Sequence, residues 1–124
     1  MFLTKNKRLL AALTLAFITA LLHLSITYFF LTPQFKLAAI IHIFLISWLI
    51  FYCIALNLVH SKKPNYVIAS FMVLTALKML ISILLLFALK YLTTITPTII
   101  ILNFFAGFFI HLILQVNYSI KLLR

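Results

Sequence analysis

Residues 66–89 read YVIASFMVLTALKMLISILLLFAL, 24 positions with a single charge, Lys78, close to their middle. A run this long decides the fold. An α-helix rises 1.5 Å per residue, so about 20 apolar residues cross the roughly 30 Å hydrocarbon core of a bilayer. Reading outward from this stretch, Leu9–Leu31, Leu37–Val59 and Thr98–Ile120 are runs of the same kind. The chain is therefore expected to be one all-α, integral membrane domain over residues 1–124, an up-down unit of four transmembrane helices at about 9–31, 37–59, 66–89 and 98–120. The connectors Thr32–Lys36, His60–Asn65 and Lys90–Pro97 are too short for a soluble domain and make neighbouring helices antiparallel. Pro33, Pro64 and Pro97 all fall outside the helix interiors, where a missing N–H is tolerated.

Composition agrees with a bilayer, since 67% apolar and 8% charged residues lie far from globular averages. The first run follows Lys5, Lys7 and Arg8 as a signal peptide would, but it exceeds the usual 7–15 apolar residues and is expected to stay as a helix. Lys5, Lys7, Arg8, Lys62, Lys63, Lys121 and Arg124 would lie on one side of the membrane, with Lys36 and Lys90 on the other. That asymmetry predicts that both termini are cytoplasmic, in a bacterial inner membrane, or on the matrix side of an organellar inner membrane. The net charge of +10 is spread over helix ends, which points to anionic lipid headgroups rather than nucleic acid. Tyr66, Tyr91 and Tyr118 stand where interfacial aromatics are expected. Cys53 has no second cysteine to pair with and reads as a packing residue.

The polar residues inside the spans carry the functional information. A lysine at the bilayer centre costs about 2.5–3.5 kcal/mol to insert, and this chain has no Asp or Glu to neutralise it. Its partner must be a dipole, a lipid phosphate or another protein. Counting depth along alternating helices places His23 and His111 in the same central layer as Lys78. On the fourth helix Asn103, Gly107, His111 and Gln115 recur every four residues and form one stripe. Thr19, His23 and Thr27 do the same on the first, and Thr75, Lys78 and Ser82 share a face of the third. Lys78, His111, His23, Gln115 and Asn103 are the candidate partner- or ion-binding residues. The Thr and Ser residues of these stripes are expected to hydrogen-bond between helices.

No metal site, cofactor or enzymatic chemistry is expected. His23, His42, His111 and Cys53 follow no ligand spacing, and neither an acid–base carboxylate nor a His/Ser or His/Cys pair at recognisable spacing is present. Three readings remain: an assembly factor, a permanent small accessory subunit of a larger membrane complex, or a passive ion or small-solute pathway.

The stretch FMVLTALKMLISILLLFALK, residues 71–90, following the basic loop HSKKPN, resembles the third helix of the ATP synthase I chain family. It is still more similar to a group of uncharacterised four-helix Bacteroidota proteins encoded near ATP synthase genes. Members of the I chain family have four helices and a lysine in helix three, which Lys78 matches. Their last helix often carries a polar residue near its cytoplasmic end, which Gln115 in FFIHLILQVNYSIKLLR would match. I chains often place a Glu three residues before the lysine, where this chain has Thr75, so ion handling through that Glu is not implied. The resemblance implies association with an F-type ATP synthase and help in assembling its rotor ring of c subunits, whose midmembrane carboxylate Lys78 would meet. The alternative is a stoichiometric subunit of an ATP synthase or respiratory complex.

Overall fold

The structure, a computed structural model, describes residues 2–30 and 35–123. They form four helices, α1 (Phe2–Phe30), α2 (Phe35–Lys62), α3 (Val67–Leu92) and α4 (Pro97–Leu123), with a short 3-10 turn at Pro64–Tyr66. All four are long and apolar enough to cross a membrane, and the fold is that of an all-α, four-helix integral membrane protein. The expected connector at Thr32–Gln34, with Pro33, and the last helix-one residue, Leu31, lie outside the described residues, as does Arg124.

Each helix runs past the bounds set by the apolar runs. α2 continues through His60, Ser61 and Lys62, α3 through Lys90, Tyr91 and Leu92, and α4 through Lys121. The reason is local: a polar residue ends a hydrophobic run but not a hydrogen-bonded one, and helix propagation stops only where the ladder lacks partners. At Pro64 the ring removes a donor and α2 has just closed its last turn with Lys63 N–H donating to Val59 O. α4 begins at Pro97, a position where that missing N–H costs nothing.

Lateral packing is uneven. α2 buries ten residues and α4 eleven, while α3 fully buries four, Val67, Lys78, Ser82 and Leu89. α1 turns a seam of small residues inward: Ala12, Ala16 and Ala20, spaced by four, are buried, and Ala16 packs in a cluster with Trp48, Leu49 and Tyr52 of α2. In lipid, where apolar faces gain little by hiding from one another, small residues let backbones close to van der Waals distance and supply the dispersion energy. Gly107 acts likewise on α4, because a Cβ there would lie 2.8 Å from Leu45 Cδ1 and 3.7 Å from His42 Cε1 of α2. A three-helix core of α1, α2 and α4 results. α3 packs on α2 and α4, and among the described residues no α3 Cα comes within 8 Å of an α1 Cα. Large apolar side chains such as Leu21, Phe29, Ile43, Met72, Leu84 and Ile113 point outward, as an acyl-chain solvent requires.

The two ends of the bundle differ in charge. Arg8 on α1 donates a hydrogen bond to the backbone oxygen of Lys121 on α4, so the start of the first helix and the end of the last share one end. Lys62 and Lys63 follow α2 to that same basic end, while Lys36 and Lys90 lie at the other.

Candidate functional site

On α4 the residues Asn103, Gly107, His111 and Gln115 are all buried, and the stripe continues to Ser119. From Asn103 to Ser119 it spans about 24 Å at the helical rise, most of the hydrocarbon thickness. The other three helices contribute their polar residues to this column in two separate groups.

The first group lies in the half of the bundle away from the basic end. Asn103 Nδ2 donates to Ile99 O at 3.0 Å, which turns the amide oxygen toward α1, where it lies 3.1 Å from His23 Nε2. An amide oxygen only accepts, so His23 Nε2 carries a proton. In the neutral imidazole Nδ1 then accepts, and His42 Nε2–H donates to it across 2.7 Å. One amide orientation thereby fixes two tautomers and ties α1, α2 and α4 together. The lone pair of His42 Nδ1 remains, buried and without a hydrogen-bond partner among the described residues.

The second group is at the centre. Lys78 is 0% exposed, and its Nζ donates to Gln115 Oε1 at 3.3 Å and stands 4.7 Å from the centroid of the Phe108 ring. Both partners are neutral. The oxygen distance is longer than the about 2.7–2.9 Å of a tight charge-assisted bond. A hydrogen bond to a charged group contributes about 1.5–3 kcal/mol and a desolvated cation–π contact about 2 kcal/mol, together enough to offset the insertion cost of the lysine. Around this contact several buried polar atoms have no hydrogen-bond partner among the described residues: both ring nitrogens of His111, Nε2 of Gln115 and Oγ of Ser82. His42 and His111, with ring centroids 6.5 Å apart, link the two groups.

The structure thus places Lys78, His111, His23, Gln115 and Asn103 inside one bundle. Lys78 meets Gln115, and His23 meets Asn103, while His111 faces inward without a hydrogen bond among the described residues. Thr and Ser depart from the expectation of interhelical bonding. Thr14, Thr19, Thr27 and Thr75 donate to carbonyls three or four residues back in their own helices. That bond is always within reach of a hydroxyl on a helix and demands no neighbour. Ser119 differs, since its hydroxyl donates to Gln115 O and lies 2.5 Å from the Tyr52 hydroxyl of α2, bridging the two helices.

His42, which follows no ligand spacing in the sequence, is part of the site, bonded to His23 and beside His111. A signal was present: His42 and Asn103 each lie about six or seven residues from the centres of their helices, toward the same side of the membrane. The same holds for the Ala12, Ala16, Ala20 seam, a small residue every four positions. Comparison with family models, with curated proteins and with solved structures finds no match to this chain.

Proposed function

We propose that the protein binds the midmembrane carboxylate of another membrane protein through Lys78, and that its partner is the c subunit of an F-type ATP synthase, whose rotor ring it helps to assemble. The observation that carries this reading is a buried lysine held by a neutral amide oxygen and an aromatic face in a chain with no Asp or Glu. The chain tolerates the cation but does not neutralise it. A carboxylate about 4 Å from the ammonium would add attraction of about 4 kcal/mol at an effective dielectric constant near 20. The c subunit as the source of that carboxylate comes from the resemblance of residues 71–90 to the I chain family.

Lys78 is enclosed, so engagement requires α3 to shift away from α2 and α4. The packing supports α3 as the element that moves, because it lies outside the α1–α2–α4 core and two of its four buried residues, Lys78 and Ser82, are polar. The lysine exchanges a neutral oxygen for a charged one as the partner helix takes the place of α4. A passive cation pathway along the α4 column is opposed by the ammonium at its midpoint, which repels cations in a low-dielectric interior.

Photoreactive residues at Leu77 and Met79, both exposed beside Lys78, test the reading. Adducts with c subunits are expected during ring assembly, with the protein substoichiometric in the finished complex. A fixed ratio to the mature complex would favour a permanent subunit, and an absence of c-subunit adducts would reject the partner.

The basic end supports an orientation: among the described residues Lys5, Lys7, Arg8, Lys62, Lys63 and Lys121 lie there, against Lys36 and Lys90 at the other end. Reporter fusions at Asn65 and Thr94 are expected to localise to opposite sides, with Asn65 in the cytoplasm or matrix. The reverse pattern would invert the orientation.

A further inference from the structure

At the basic end, where α2 gives way to α3, a groove of about 260 Å³ opens sideways from the bundle, lined by Leu58, Val59, Lys62, Lys63, Tyr66 and Ser70. Its chemistry is divided. Leu58 and Val59, on the last turns of α2, supply apolar wall at the depth of acyl chains. Lys62 and Lys63 close the groove at the level where the helix leaves the membrane, and the Lys63 ammonium stands 5.7 Å from the centroid of the Tyr66 ring. Tyr66 itself is an interfacial aromatic, apolar in its body and polar at its tip. Two other lipid-facing grooves lack this division. One of about 170 Å³, between the start of α3 and the end of α4, has no cation in its lining, and one of about 210 Å³ at the opposite end has Lys90 alone.

We propose that the α2–α3 groove is a binding site for an anionic phospholipid, with the phosphate held between Lys62 and Lys63 and an acyl chain lying along Leu58 and Val59. The occupant follows from charge complementarity and depth together. Two consecutive lysines lining one groove, in a chain with no Asp or Glu to pair with them, attract a phosphate, and the apolar wall directly below excludes a ligand that is charged throughout. The site is independent of Lys78 and of the identity of the protein partner.

The purified full-length protein in neutral detergent would be titrated with dioleoylphosphatidylglycerol and with dioleoylphosphatidylcholine, with bound lipid counted by native mass spectrometry. Two juxtamembrane lysines are expected to favour the anionic lipid by about 30-fold. Lys62→Gln with Lys63→Gln should bring the preference to within about threefold, while Lys36→Gln with Lys90→Gln, the same charge loss at the other end, should leave it unchanged. Ser70→Trp keeps both lysines but fills the groove, and should displace the lipid. Unaltered melting of each variant confirms its fold. Equal loss in both double variants, retention of lipid in Ser70→Trp, or absence of a preference in the unmodified protein would each overturn the proposal. So would glycerol 3-phosphate competing as well as the lipid, because the site would then recognise phosphate without a chain.

Discussion

Lys78→Met is expected to lower capture of c subunits at least tenfold, and the yield of assembled ring with it, while the protein remains inserted at its normal level. The expectation rests on separating charge from volume. Met is unbranched and close in length to lysine, so it can occupy the space beside Phe108 without leaving a large cavity. Removing the cation also removes an insertion cost of about 2.5–3.5 kcal/mol. Against that, Gln115 loses the donor to its Oε1, an unsatisfied buried group worth about 1–3 kcal/mol. The two terms nearly cancel for the isolated protein. They do not cancel for the complex, where loss of the ammonium leaves the partner's carboxylate without its counter-charge. Lys78→Met with Gln115→Leu removes the orphaned amide as well and should behave like the single variant in capture. Lys78→Arg keeps the charge and should retain part of the activity. Crosslinking and ring yield unchanged in Lys78→Met would reject the mechanism and leave the lysine a structural role.

The second large effect is expected from Gln115→Glu, which makes a conservative change in shape and a decisive one in charge. It places a carboxylate where Gln115 Oε1 now lies, 3.3 Å from Lys78 Nζ. The lysine then has an internal counter-ion, and α3 gains an ion pair to α4 in place of a neutral hydrogen bond. Removing one partner from a buried ion pair costs about 3–5 kcal/mol, and separating α3 from α4 would now demand a comparable amount. The variant should therefore resist thermal unfolding better than the unmodified protein and yet capture c subunits as poorly as Lys78→Met. The two readouts move in opposite directions, which a lysine serving only to hold α3 in place does not predict. A structural lysine would give higher stability with full ring yield. Restoring capture by combining Gln115→Glu with Lys78→Met is not expected, since no cation remains.

Much of this architecture could be read along the chain. The number of spans, their approximate limits and their antiparallel order follow from the lengths of the apolar runs, because a bilayer demands that each crossing be long, apolar and internally hydrogen-bonded. The anomaly of Lys78 is equally local, as one charge within 24 residues of YVIASFMVLTALKMLISILLLFAL needs no neighbour to be recognised. The buried stripe on α4 from Asn103 through Gln115 also belongs to this class, since spacing by four places those residues on one face whatever lies opposite.

What the tertiary structure alone decided is which faces meet. Nothing along the chain distinguishes α3 as the helix outside the three-helix core, because its Leu, Ile and Phe residues are as comfortable against lipid as against protein. The pairing of His23 with His42 depends on how closely α1 and α2 approach, which the small residues of α1 permit, Ala16 packing with Trp48, Leu49 and Tyr52, while the missing side chain at Gly107 lets α4 close on α2 beside His42. Gln115 becomes the partner of Lys78 because the long lysine stem can reach toward a neighbour at another depth, a freedom that counting residues per helix ignores. Hydrophobicity tells a segment to enter the membrane, but within the membrane it no longer ranks one neighbour above another. There, close packing and a few hydrogen bonds choose the arrangement, and both exist only once the helices are side by side.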